Sequence, residues 1–150
     1  MPQAFPLQKV LEYRQQLEEH KQMELAKAEA HLAESQAALR LREAARDAIT
    51  ADLAQLKQVE QLDVYRLQAA MQRHLHAVAE VDRARNAIAA AHSEAANARQ
   101  ASIAASQDRL VLDRLRDAHH QAIRTSAERI DAARLGELGL LRWHANREKE

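Results

Sequence analysis

The sequence predicts an all-α chain: two long helices folded back on each other as an antiparallel coiled-coil hairpin, the second helix longer than the first. Three observations point there. The two prolines and two glycines stand only near the ends, at Pro2, Pro6, Gly136 and Gly139, so nothing between Leu7 and Leu135 forces a turn. Ala, Leu, Gln, Glu and Arg dominate, residues that lose little side-chain freedom in a helix, while aromatic residues make up only 3%. Apolar residues also recur at a mean spacing near 3.5, the period of a seam between two helices.

The pattern places the whole of residues 1–150 in one coiled-coil domain, with a helix over 6–57, a turn over 58–63 and a helix over 64–146 that frays after 135. Pro6 suits the first helical position because its missing amide hydrogen is not needed there. Beyond it, Leu11, Leu25, Leu32, Leu39 and Leu53 share one heptad position, and Leu7, Ala28, Ile49 and Leu56 share its partner. Charged and polar residues interrupt both, with Glu18, Arg46 and Glu60 on the first and Arg14, Lys21, Ser35 and Arg42 on the second. The pattern lapses from Lys57 to Asp63, and the Asp63 carboxylate is suited to cap a second helix opening at Val64.

The second helix offers Leu67, Met71, Leu75, Val78, Val81, Ile88, Ile103, Leu110, Leu115, Ile123 and Ile130 as seam residues. Its middle, residues 84–105, is rich in Ala and Ser, which allow close approach but bury little area, so this stretch is expected to be thin and mobile. Acids precede arginines by three residues at Glu43 and Arg46, Asp63 and Arg66, Glu80 and Arg83, Asp82 and Arg85, Asp113 and Arg116, and Asp131 and Arg134. Such pairs add roughly 0.2–0.5 kcal/mol each. A turn near residue 60 pairs Pro6 with Arg114, which leaves the later apolar residues, from Leu115 to Trp143, overhanging and in want of a partner.

Several function classes find no support in these residues. Net charge is zero, with 10 basic and 11 acidic residues in the first 75 and 12 against 11 in the rest, so neither half offers the one-signed surface that nucleic acid or an anionic membrane attracts. No apolar run approaches the roughly 20 residues of a membrane span, so direct membrane insertion is not expected. The opening Met-Pro-Gln-Ala-Phe-Pro lacks the basic and apolar regions of a secretory leader, and there is no cysteine; both fit a cytosolic protein. Eight histidines raise the question of a metal, but His74 with His76, and His119 with His120, point to different helix faces. With no Gly-rich phosphate loop and no pocket to perturb a carboxylate, neither catalysis nor a cofactor is expected.

The stretch Phe5 to Glu19, Phe-Pro-Leu-Gln-Lys-Val-Leu-Glu-Tyr-Arg-Gln-Gln-Leu-Glu-Glu, resembles the opening of the flagellar export protein family FliJ, in which an aromatic residue and a Leu-Gln-x-Val-Leu-x-x-Arg pattern start the first helix. Leu62, Asp63 and Val64, the stretch Leu112 to Asp117, and Arg134 to Leu138 are similar to further segments of that family. Gly136 stands where the family's Leu-Asp-Glu-Leu segment has an acid.

The resemblance implies a cytoplasmic component of the flagellar type III export apparatus, peripheral at the inner membrane and serving motility. In that family an antiparallel coiled coil, similar to the central stalk of rotary ATPases, inserts into the hexameric export ATPase ring and also meets the export gate membrane protein and export chaperones. Carried over by position, Leu7, Leu11, Ile130, Leu135 and Leu138 would face the ATPase. Met71, Leu75 and Val78 would face the gate, with Met71 standing where relatives carry an aromatic. A stalk protein of a virulence-type secretion system shares this architecture, and a self-associating structural coiled coil is the alternative of a different class.

Overall fold

The structure is a computed structural model in which residues 4–147 are described. Pro2 and the leader reading of the first three residues fall outside that range. Two helices account for nearly all of it, α1 (Gln8–Lys57, 50 residues) and α2 (Val64–Arg147, 84 residues), and they pack against each other as an all-α hairpin.

Helix α1 begins two residues later than Pro6. Pro6 and Leu7 form a turn in which the Gln8 amide donates to the Phe5 carbonyl (3.1 Å) and the Leu11 amide to the Leu7 carbonyl (2.9 Å). The chain leaves α1 at Lys57, whose cation suits the negative end of the helix. It re-enters a helix at the expected place: Asp63 Oδ1 accepts from the amides of Tyr65 (3.0 Å) and Arg66 (3.3 Å), so the cap satisfies donors that the first turn leaves free. At its far end α2 passes through both glycines and remains helical to Arg147.

By contact the chain divides into two units, Glu19–Ile103, which holds the turn, and the described parts of Met1–Glu18 with Ala104–Glu150, which hold both ends. In the first unit the seam of α1 follows the heptad phase read from the sequence, with Lys21, Leu25, Ala28, Leu32, Ser35, Leu39, Arg46, Ile49, Leu53 and Leu56 all withdrawn from solvent. Arg42 is the exception: it turns outward to Glu80 (3.3 Å) and leaves its place to Glu43.

The seam of α2 differs from the expected one. It runs through Leu67, Ala70, His74, Ala77, Val81, Ala84, Ile88, Ala91, Ala95 and Ala98, a regular alternation of three and four residues built mainly from alanine. Met71 and Leu75 each lie one residue past it and face solvent. Ile103, the last residue of the first unit, is likewise off the seam, and so are Leu110 and Leu115 in the second unit, where the seam is formed by Ala105, Arg109, Leu112, Arg116, His119 and Ile123. In the first unit the physical reason is size: Ala at the seam positions lets two helices pack closely, and a Leu there would hold them apart.

Facing partners set the register. In the first unit Thr50 meets His74, Glu29 meets Arg99 and Glu43 meets Arg85; in the second Arg14 meets Asp108 and Phe5 stacks against His119. These pairs are centred on residues 61–64, later than the centre at residue 60 expected from the sequence. The shift moves the residue opposite Pro6 from Arg114 to about Ala118; partial cover of α2 extends further, to Thr125, and every described residue from Ser126 onward is exposed.

Candidate functional site

Enclosed chemistry is sparse. Among the described residues no group of three His, Asp or Glu side chains is arranged to hold a metal, and no helix is long and apolar enough to cross a membrane. The titratable groups that depart from ordinary behaviour do so through ion pairing. Arg109 is held charged to higher pH chiefly by its hydrogen bond to Glu18, Arg46 by its hydrogen bond to Asp47, and Glu24 is held below the usual carboxylate range by Lys21.

What the molecule presents instead is apolar surface in two places. The first surrounds the turn in the Glu19–Ile103 unit. Val59, Leu62, Val64 and Tyr65 are exposed there, and Met71 (49% exposed) and Leu75 (66%) continue along α2, while Val78 is half-buried. Beside them lies a shallow groove lined by Asp52, Gln55, Leu56, Val59, Arg66 and Arg73. Tyr65, the most exposed of these, was not singled out by the sequence pattern. Its position two residues after the Asp63 cap was the available signal, since a first-turn aromatic next to a loop has no facing helix to cover it.

The second place is the end of α2. Ile130, Leu135, Leu138, Leu140, Leu141 and Trp143 are each more than half exposed. They divide between two faces at helical spacing. Leu135, Leu138, Gly139, Leu141, Arg142 and Ala145 line one groove. Trp143 lies away from it, its ring edge-on to His144 and covered by the Arg147 guanidinium at 4.7 Å.

The residues carried over from the family resemblance thus have unequal standing. Leu135, Leu138 and Ile130 lie together on the free end of α2, and Leu7 is partly open near the start of the chain. Leu11 is 0% exposed, packed as core in the hairpin, so a partner reaches it only by opening the pair of helices. Met71 and Leu75 are available on the surface, whereas Val78 is shared with the packing. Comparison with known proteins matches this chain to no family model, no curated protein and no solved structure.

Proposed function

We propose that this chain is a non-enzymatic coiled-coil component of a bacterial flagellar type III export apparatus, a stalk that engages the hexameric export ATPase through its chain ends and the export gate through the surface beside its turn, and that assists delivery by export chaperones. The observation that carries the reading is the free end of α2, which leaves Ile130, Leu135 and Leu138 uncovered. Contiguous apolar surface of this kind marks an interaction site in a water-exposed chain. The opening segment Phe5 to Glu19 supplies the identity of the partner through its resemblance to the FliJ family. Two apolar surfaces, one at the turn and one at the end of α2, suit a protein that meets two partners.

Co-purification with a candidate export ATPase, followed by its hydrolysis rate with and without the chain, tests this. The reading expects a stable complex and a changed rate, both lost when Leu135 and Leu138 become Ala. Absence of binding to the ATPases of flagellar export systems would remove it.

A further inference from the structure

We propose that the end of α2 pairs antiparallel with the same segment of a second copy of this chain, about a two-fold axis between Gly136 and Glu137. Glu128, Asp131, Leu135, Leu138, Arg142 and Ala145 form one stripe at alternating spacings of three and four residues, the seam of a two-helix pair. In this register Leu135 meets the partner's Leu138 and Asp131 meets the partner's Arg142, each contact occurring twice by symmetry. Both leucines are more than half exposed, and neither Asp131 nor Arg142 has an ion-pair partner among the described residues.

Charge selects the direction. On the stripe itself Glu128 and Asp131 come first and Arg142 follows, while Arg129, Arg134 and Glu137 lie off it. Antiparallel pairing sets Asp131 against the partner's Arg142, whereas parallel pairing sets Asp131 on Asp131 and Arg142 on Arg142. Gly139 lies beside the stripe in the groove with Leu135, Leu138, Leu141 and Arg142, and a Cβ there would meet nothing within 4 Å, so the floor of the groove is open to a side chain of the partner.

The pairing covers the same Leu135 and Leu138 that the proposed function gives to the ATPase, so dimer and ATPase complex are alternative states of this surface; the pairing needs no export apparatus, and its test uses the full chain alone. Sedimentation of the chain over about two decades of concentration should give a reversible monomer–dimer equilibrium. Asp131→Arg or Arg142→Asp should raise the dissociation constant about tenfold or more, and the double variant should restore it because the exchanged charges meet again. Asp131 and Arg142 lie outside the hairpin seam, so thermal melts of dilute, monomeric samples should be unchanged by these substitutions. The chain has no cysteine. Mixing Leu135→Cys with Leu138→Cys should therefore give disulfide-linked heterodimers faster than Leu135→Cys gives with itself. A concentration-independent monomer, a double variant that stays apart, or preferred Leu135→Cys self-linkage would each overturn the pairing. A monomer that nevertheless binds an export ATPase would overturn it while leaving the stalk reading intact.

Discussion

Arg109 of α2 reaches across the seam to the carboxylate of Glu18, which is only 8% exposed, and the same guanidinium also donates to Asp113. Arg116 joins from the next turn, 3.3 Å from Asp113. An acid at a leucine position of α1 is thus matched by a base at a seam position of α2: sliding α2 by a heptad sets either Ser102 or Arg116 opposite Glu18, and the slide that brings Ser102 there strands the acid. Polar seam residues serve this purpose in coiled coils at a cost in stability.

Glu18→Ala should therefore destabilise the hairpin by about 1–2 kcal/mol, less than for a fully buried pair because Arg109 keeps Asp113 and some solvent. Replacing both Glu18 and Arg109 by Leu should be near neutral or stabilising in chemical denaturation. A larger loss for the double variant than for Glu18→Ala would mean that the pair adds net stability.

The alanine seam of α2 gives a test of phase. Ala91 is fully buried, whereas its neighbour Ala90 faces solvent. Ala91→Leu should cost about 1–3 kcal/mol by forcing the helices apart. Ala90→Leu should change the melting temperature little, and equal effects would place the seam elsewhere.

Met71 and Leu75 face solvent beside the turn, so their joint replacement by Ala should cost less than about 1 kcal/mol of stability. Binding to an export gate protein, measured by pull-down in parallel with the thermal melt, should fall clearly. Matching losses in the two measurements would make them packing residues only.

The pH dependence has a defined sign. Lys21 donates a 2.7 Å hydrogen bond to Glu24 and, with a smaller contribution from His20, holds that carboxyl below its ordinary 4.5. A depressed carboxyl stabilises the fold above its unfolded value and loses that contribution as pH falls through the folded one. Melts between neutral pH and about pH 3 should show the native chain losing slightly more stability than Glu24→Gln. The effect should be small, because the pair is largely solvated.

The fold was legible because long helices without Gly or Pro leave few alternatives, and the Asp63 cap was legible because a short acid before an apolar run has one obvious use. The phase of α2 was not. Large apolar residues drew attention to Met71, Leu75, Ile103, Leu110 and Leu115, while the seam runs through alanines that any helix surface also carries. Spacing alone holds the answer there: Ala70, Ala77, Ala84, Ala91, Ala98 and Ala105 recur every seven residues. Of the acid–arginine pairs expected within a helix, those at Glu80, Asp82 and Asp113 form, whereas Glu43 turns across the hairpin to Arg85, Asp63 is used as a cap and Asp131 does not pair with Arg134. Cross-helix competition of this kind depends on register, which a one-dimensional pattern does not contain. The free end of α2 was legible in kind, but it starts at Ser126 and not at Leu115, and the shift of the turn centre from 60 toward 62 accounts for only about four residues of that difference.

Amide hydrogen exchange on the dilute, monomeric chain tests most directly whether the helices double back once and leave the end of α2 without a partner. Protection should persist along the α2 seam to about Thr125 and drop sharply from Ser126 to Arg147, where the helix has no tertiary cover and isolated helices are marginal in water. Protection in that last segment equal to that of residues 105–123 in the monomer would mean that the end of α2 is folded onto the hairpin, and would contradict the account.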